Sequence, residues 1–292
     1  MRFAKVHILV IYLQSYDFLL RYSNLTHFSV FSCVIFLSSA LDGERLFFCF
    51  LMGMAPLISK IVVPLQQDKS EFTMMNTNYK VIDRDKYYRK GVFRHFSEDC
   101  KCSTSITARI DVTELASYSK KTGTKFYINF LYILSNVMNS REDYRMGYLW
   151  QTDELICYDV INPTQYVFHE DTETCTPVYT EYFEDYEKFY ASALRDVEET
   201  KKTREYGLDM ANHPNWFDAS FISWLSYDSL NIELPDGHLY FAPIVNWGKY
   251  REENGRLVMP VTVRLNHAIA DGYLVANVFR LLEQEIKAFV EG

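Results

Sequence analysis

The sequence has few cysteines and no excess of basic residues, and each shortage excludes a class of protein. Six cysteines in 292 residues are too few and too irregularly spaced for a disulfide-stabilised scaffold, so we expect reduced thiols in the cytoplasm. Only Cys100 and Cys102 are close together, and a single such pair does not indicate a zinc site, so no metal is expected. Thirty basic against 38 acidic residues give a formal net charge of −8, which argues against nucleic-acid binding but permits a local basic patch.

The amino-terminal part of the chain differs in composition from the rest. Residues 1–74 are apolar and aromatic, but Arg21, Asp42 and Arg45 interrupt the apolar runs before any reaches the ~18–20 residues of a membrane-spanning helix. Three interpretations remain open: a signal peptide or membrane anchor, an amphipathic appendage on a membrane surface, and translation assigned from an upstream start. Because Met74 and Met75 stand where the composition changes, we favour the third.

The domain organisation follows from that preference. We expect residues 1–74 to lie outside the functional domain and residues 75–292 to form it, with membrane contact only if the extension is a genuine part of the protein. After residue 76 there is no internal repeat, no low-complexity tract and no linker rich in proline, glycine or serine.

Alternating and helical patterns predict the elements of this domain. Strands are expected at 105–111, 146–150, 155–158, 166–169, 175–179, 220–224, 241–247 and 257–265, and helices at 83–89, 113–121, 126–138, 181–200 and 272–290. The second and third strands form a hairpin. We therefore expect an α/β fold, a two-layer sandwich with a mixed, largely antiparallel sheet and helices packed on it.

One loop carries the clearest chemical signal. His267 lies between the strand pattern at 257–265 and the amphipathic helix that starts at Gly272, followed by Asp271 in a His-x-x-x-Asp-Gly motif. A histidine on a tight loop between rigid elements suits an active site. The alternative is a buried structural histidine with Asp271 as a helix N-cap, and the motif alone occurs often by chance.

Several segments in fixed order resemble one enzyme family. Residues 224–232, 240–250, 257–260 and 266–272 closely resemble the chloramphenicol acetyltransferase family, of the trimeric type without hexapeptide repeats. The likeness continues upstream through residues 168–174 and 125–127 to Arg89, so it covers about residues 76–291. It implies a coenzyme-A-dependent acyltransferase fold, acetyl transfer from acetyl-CoA to a hydroxyl of chloramphenicol, antibiotic resistance, and a cytoplasmic homotrimer with active sites between subunits. Acetyl-CoA is then a co-substrate, and no tightly bound cofactor is expected.

The resemblance also implies roles for individual residues. His267 would be the general base, and the Ser220 hydroxyl would stabilise the oxyanion of the tetrahedral intermediate. Asp271 and Arg89 would form an ion pair that orients the histidine loop. The residues implied for coenzyme binding are Lys125, Tyr127, Trp224, Asn246, Lys249 and Tyr250. Those implied for a mostly apolar acceptor slot, suited to a nitrophenyl ring, are Phe96, Cys102, Tyr166, Tyr206 and Leu230.

Four positions depart from the family pattern, and two other functions stay open. Asn266 stands where the family often has histidine and Asn246 where it commonly has threonine; Leu230 replaces an aromatic residue and Phe96 a tyrosine. These changes leave the base and the oxyanion donor in place and bear on the acceptor. A dihydrolipoyl-type or other acyltransferase shares the histidine motif, but no lipoyl domain precedes it here. A membrane-tethered binding protein with a decayed domain conflicts with the intact motif residues.

Overall fold

The structure is a computed structural model that describes residues 78–207, 213–234 and 240–292. The predicted extension 1–74 and the domain boundary after it lie outside the described residues. Within the described part of the chain, no helix combines the length and apolar character needed to cross a membrane.

The described residues form five α-helices and ten strands. The helices are α1 (Lys90–Arg94), α2 (Thr113–Thr122), α3 (Phe126–Asn139), α4 (Tyr186–Thr200) and α5 (Gly272–Glu291). A π-helical turn (His95–Asp99) continues α1, and a 3-10 turn spans Glu142–Tyr144. The strands are β1 (Tyr79–Val81), β2 (Ser103–Asp111), β3 (Met146–Leu149), β4 (Glu154–Tyr158), β5 (Asn162–His169), β6 (Thr174–Tyr179), β7 (Trp216–Ile222), β8 (Ile244–Gly248), β9 (Arg251–Glu253) and β10 (Arg256–Asn266).

Seven strands form the main sheet, in the order β2-β10-β8-β7-β5-β6 with β9 paired to β10. Only the β8–β7 and β7–β5 pairs are parallel. A second, small sheet has the order β1-β4-β3 and contains the predicted hairpin. The predicted fold class, a mixed and largely antiparallel sheet with helices packed on it, is confirmed.

One face of the main sheet carries the core. Along β10, Val261, Val263 and Leu265 alternate with polar residues and are fully buried. Helix α3 is apolar almost all round, and its Phe130 packs on Trp247 of β8 with ring centroids 5.1 Å apart. Fully burying one such side chain contributes about 1.5–3 kcal/mol, so this face holds the helices to the sheet.

The opposite face is polar. A row across β2, β10, β8 and β7 consists of Thr107, Thr262, Asn246 and Ser220, which are paired in register. The hydroxyls of Thr107 and Thr262 lie 2.8 Å apart. Since paired residues of neighbouring strands share a face, this row places Ser220 on the side away from the helices.

Some element boundaries differ from the predictions. No helix forms at 83–89, because the Asp83 carboxylate accepts the N–H of Asp85 and so favours a local turn. Helix α4 starts only at Tyr186, where Asp185 accepts the N–H of Lys188 at 2.7 Å as its N-cap. The sequence patterns did not predict the three-residue strands β1 and β9.

The strand predicted at 220–224 is instead β7, which ends at Ile222. The chain then turns across β8, and the Leu225 carbonyl accepts the N–H of Lys249 at 2.9 Å. Gly248 permits this crossing, because a Cβ there would lie 2.7 Å from the Leu225 oxygen. Trp224 therefore stands in a loop, 61% exposed.

Candidate active site

The His267 loop is a tight turn at the carboxyl end of β10. The Asn266 side-chain oxygen accepts the N–H of Ala268 at 2.9 Å, and its backbone oxygen accepts the N–H of Ala270 at 3.0 Å. The His267 N–H donates to the Cys102 carbonyl at 3.0 Å, just before β2 begins. Asn266, a departure from the family pattern, thus shapes the turn that presents the histidine.

The imidazole of His267 is held by an aromatic ring. Phe96, in the π-helical turn, stacks on it with centroids 3.8 Å apart and planes 15° apart. The Nδ1 atom of His267 is buried and has no hydrogen-bond partner among the described residues. Nε2 is therefore the nitrogen left to exchange a proton with a ligand.

Arg89 and Asp271 meet beside this loop. Arg89 Nη2 donates to Asp271 Oδ2 at 3.1 Å, while Asp271 Oδ1 accepts the N–H groups of Tyr273 and Leu274 and caps α5. Burial tends to raise the pKa of Asp271, but the bonds from Arg89 and the helix N–H groups outweigh it and hold the pKa below its usual value. The same carboxylate thus caps a helix and pairs with an arginine.

Ser220 lies near the centre of the sheet, on its polar face. Its register neighbour Asn246 is buried, and the Asn246 backbone oxygen accepts the hydroxyl of Tyr227 at 2.9 Å. The flanking residue Phe221 points to the helix side, where it stacks with Trp247 at 5.8 Å. Alternation along β7 therefore turns the Ser220 hydroxyl away from the core.

Four of the residues expected to bind coenzyme lie near the carboxyl ends of β7 and β8, called here the upper end of the sheet: Lys125, Trp224, Lys249 and Tyr250. The exposed Lys249 and Tyr250 follow β8, and the Tyr250 ring packs on Phe126 at 5.2 Å. Lys125, next to Phe126, is exposed at the N-cap of α3. Two cations and a helix N-terminus at one place suit a phosphorylated ligand.

Two further aromatic residues of that set differ in their surroundings. The Trp224 ring meets Phe168 edge-on at 4.6 Å at the upper end. Tyr127 instead packs on the helix side, stacked on Phe221 and Trp247, and its hydroxyl donates to Gln165. Trp224 is thus open to a ligand, whereas Tyr127 belongs to the ring cluster beneath.

The predicted acceptor residues fall into two groups. Phe96 and Cys102 accompany His267 at the opposite end of the sheet, called here the lower end. Tyr166, on β5, donates to the Asp218 carboxylate. Burial raises the pKa of the Tyr166 hydroxyl most, the negative charge of Asp218 raises it further, and the exposed Tyr206 adds a smaller effect in the same direction. Leu230 is half-buried in the segment after Tyr227.

Within one chain, Ser220 and His267 lie far apart. Ser220 is level with Asn246 and Thr262, and His267 lies five residues beyond Thr262 along the chain. At ~3.3 Å per residue this separates the two side chains by roughly 16 Å along the strands, besides two strand spacings. The Ser220 and His267 side chains of one chain therefore do not face each other across a single small ligand.

Sequence reasoning missed Asp218 and Tyr240. Both reach the polar face beside Ser220, where the Tyr240 hydroxyl donates to Asp218 at 3.1 Å. A charged residue inside a β pattern, two positions before the candidate oxyanion donor, was the available signal. In the described residues, no cluster of three or more potential metal ligands occurs.

The sequence of the chain matches known proteins of one enzyme family. The profile of the family described as chloramphenicol acetyltransferase matches residues 77–283. A chloramphenicol acetyltransferase of Proteus mirabilis is 31% identical over 209 residues, which are 70% of this chain and 93% of that protein.

Solved structures show the same fold. A chloramphenicol acetyltransferase superposes with a TM-score of 0.65 at 19% identity, covering 72% of this chain and all of that one. The dihydrolipoamide acetyltransferase of Azotobacter vinelandii superposes with a TM-score of 0.51 at 14% identity, over 64% of this chain and 82% of that one.

Proposed function

Because the chain belongs to the chloramphenicol acetyltransferase family, we propose that it transfers the acetyl group of acetyl-CoA to a hydroxyl of chloramphenicol. Family membership makes the protein an acyltransferase. The donor, the acceptor and the residue roles are the proposal. The observation that carries it is the His267 turn, where a histidine with a buried, unpartnered Nδ1 is fixed by a stacked ring and a backbone bond.

His267 acts as the general base in this proposal. Its Nε2 takes the proton from the acceptor hydroxyl while that oxygen attacks the thioester carbonyl. The bond from carbonyl carbon to sulfur then breaks, and the sulfur leaves as coenzyme A with a proton returned from the imidazolium. The stack on Phe96 and the bond to Cys102 hold the ring in one orientation, which favours the reacting geometry.

Ser220 supplies the hydroxyl that meets the oxyanion of the tetrahedral intermediate. No hydrogen bond from its side chain to another described residue competes for that hydroxyl. Such a donor, fixed on a rigid strand, stabilises negative charge that appears only during reaction. The acetyl group is therefore placed over the centre of the polar face.

Coenzyme A binds at the upper end of the sheet. Lys125 and Lys249 meet its phosphates, the N-terminus of α3 adds partial positive charge, and the exposed rings of Trp224 and Tyr250 pack on its apolar surfaces. These cations make a local basic patch on a protein of net charge −8.

The active protein is a homotrimer in the cytoplasm, and it confers resistance to chloramphenicol. Each site combines the lower end of one subunit, with His267, and the upper end of its neighbour, with Ser220. Around a threefold axis every subunit contributes one of each, so three equivalent sites form. Residues 75–292 are the functional domain.

The test is release of free thiol from acetyl-CoA by the purified full chain with chloramphenicol. We expect release with the wild type, and a loss of at least 10³-fold in His267→Ala because the base is gone. His213→Ala is the matched control, since His213 stacks on Tyr179 away from the loop, and it should keep activity within twofold.

A second acceptor, dihydrolipoamide, decides between this proposal and a dihydrolipoyl-type acyltransferase. Release with dihydrolipoamide but not chloramphenicol would replace the acceptor and keep the acyltransferase chemistry. Release that persists in His267→Ala would overturn the assignment of the base. Expression from Met75 with unchanged specific activity would support the proposed domain boundary.

A further inference from the structure

A carboxylate and two tyrosine hydroxyls form a cluster on the polar face of the sheet. Asp218 Oδ1 accepts the Tyr166 hydroxyl at 2.5 Å, and Asp218 Oδ2 accepts the Tyr240 hydroxyl at 3.1 Å. These three residues are called here the carboxylate–tyrosine cluster. They come from β7, β5 and the segment before β8, so the cluster ties three parts of the main sheet together.

The Asp218 carboxylate has no contacting cation among the described residues. Among the ion pairs of the described residues none involves Asp218, and burial raises its pKa against the two tyrosine bonds. The nearest cation by register is Arg264, in the same cross-strand row beyond Ile244. Arg264 itself is buried, with Nη2 on Ser103 at 2.7 Å and Nη1 without a partner among the described residues.

The cluster stands next to the reacting groups. Asp218 and Ser220 lie two residues apart on β7 and face the same side of the sheet. Thr164 of β5 pairs with Asp218, so Tyr166, two residues further on, comes level with Ser220 on the neighbouring parallel strand. A molecule that reaches the Ser220 hydroxyl therefore lies against the cluster.

The carboxylate retains hydrogen-bonding capacity. An ionised carboxylate offers about four acceptor positions, and the two tyrosines occupy two of them. Because each tyrosine hydroxyl donates its proton to Asp218, neither offers that proton to a ligand. The cluster thus offers a ligand hydrogen-bond acceptors and no hydrogen-bond donors. A purely apolar slot for a nitrophenyl ring would offer neither.

We propose that Asp218 is a specificity-determining residue of the acceptor site, which with Tyr166 and Tyr240 selects acceptors that present a hydroxyl or amide N–H to the cluster. This inference rests on the proposed function, whose acceptor chloramphenicol carries a C1 hydroxyl and an amide N–H besides the hydroxyl that is acetylated. A buried acceptor group left without a donor disfavours an analogue lacking that group.

The test compares acceptors that each lack one donor. For the wild type and Asp218→Asn, kcat and KM are measured with chloramphenicol, its 1-deoxy analogue and its N-methyl amide analogue. We expect the wild type to prefer chloramphenicol at least tenfold in kcat/KM over one analogue, and Asp218→Asn to reduce that preference below threefold with the KM for acetyl-CoA unchanged. Equilibrium binding by calorimetry repeats the comparison without turnover.

Two variants guard the interpretation. Tyr240→Phe keeps the carboxylate and removes one bond, so it should reduce the same preference by a smaller factor even if Asp218→Asn folds poorly. Asp153→Asn is the matched control, because Asp153 accepts a bond from Tyr148 and pairs with Arg84 in the β3–β4 turn, and it should leave every preference intact.

The outcomes are separable. Preferences that Asp218→Asn leaves unchanged in both turnover and binding would overturn the inference while the proposed function stands. An equal loss for all three acceptors and for acetyl-CoA would assign Asp218 a purely structural role and also overturn it. No turnover of chloramphenicol by the wild type would instead refute the proposed function, and the binding preferences would still decide the role of Asp218.

Discussion

His267 stands five residues beyond the point of β10 that lies level with Ser220. In a sheet this rigid, no side-chain rotation closes a gap of roughly 16 Å. If His267 and Ser220 serve one reaction, as proposed, they must come from different copies of the chain, so the proposed catalysis depends on assembly.

Mixed assemblies test this relationship. We expect His267→Ala and Ser220→Ala each to lose about 10²-fold or more of the activity alone. When the two are unfolded, mixed in equal amounts and refolded together, about a quarter of the interfaces combine an intact His267 with an intact Ser220. We expect thiol release at about that fraction of the wild-type rate. Mixing without refolding is the control, and activity no higher than that of the single variants after refolding would place both groups in one subunit.

The Ser220 hydroxyl is expected to act on the transition state alone. Ser220→Ala should lower kcat by about 10²–10³-fold with little change in either KM, because the donor meets the oxyanion and not the ground state. Ser226→Ala is the matched variant, since the Ser226 hydroxyl is buried without a partner in the following loop, and its kcat should stay within twofold. A raised KM with an unchanged kcat in Ser220→Ala would contradict the role.

The Arg89–Asp271 pair makes a prediction about stability. The Asp271 side chain is 40% exposed, so the pair is worth less than a buried one, and Asp271→Asn should lower the free energy of unfolding by about 1 kcal/mol. Asparagine still caps α5, whereas Asp271→Ala also removes the cap and should cost about 1 kcal/mol more. Urea denaturation measures both: no loss in Asp271→Asn would mean that the ion pair contributes nothing, and equal losses in the two variants would mean that the cap contributes nothing.

The same pair fixes the sign of a pH effect. Since folding lowers the pKa of Asp271, its stabilisation is complete above the unfolded value of about 3.9 and is lost as the pH falls through the folded value. The difference in unfolding free energy between wild type and Asp271→Asn should therefore be constant from pH 8 to about 5 and shrink below about 4. A difference that grows on acidification would reverse this assignment.

Gly248 is expected to control coenzyme binding through the loop above it. In Gly248→Ala the new Cβ would lie 2.7 Å from the Leu225 oxygen and 2.9 Å from Pro260, so the loop with Trp224 must shift. The KM for acetyl-CoA should rise severalfold, with a loss of stability of about 1–3 kcal/mol. Gly91→Ala, with no atom within 4 Å of its added Cβ, is the neutral control.

Local patterns predicted the elements that present the catalytic loop. β10 and α5 have clear periods of two and 3.6, so the sequence placed His267 and Asp271 at their junction. The resemblance to the family predicted that Arg89, which is distant in sequence, pairs with Asp271 at the same loop. Two kinds of segment were not predicted correctly. The three residues of β1 are too few to show an alternating pattern. At Asp83 the side chain favours a local turn over the predicted helix.

The candidate site could be predicted from the sequence less completely than the fold could. Cross-strand register decides that Tyr166 comes level with Ser220 and that Asp218 faces the same side, and register depends on contacts between segments far apart in the chain. The predicted apolar acceptor slot could not reveal that a carboxylate adjoins it. Tyr127, expected against the coenzyme, packs with Phe221 and Trp247 on the helix side.

The ring of Phe96 does more than fix an angle. It lies flat against the imidazole of His267, 3.8 Å between centroids, where the electron-rich face of a benzene ring attracts a cation. In the proposed mechanism the imidazole is positively charged while it holds the acceptor's proton, and Phe96 would then face an imidazolium. Under that proposal Phe96, although it has no hydroxyl, would give the charged imidazolium part of its electrostatic stabilisation.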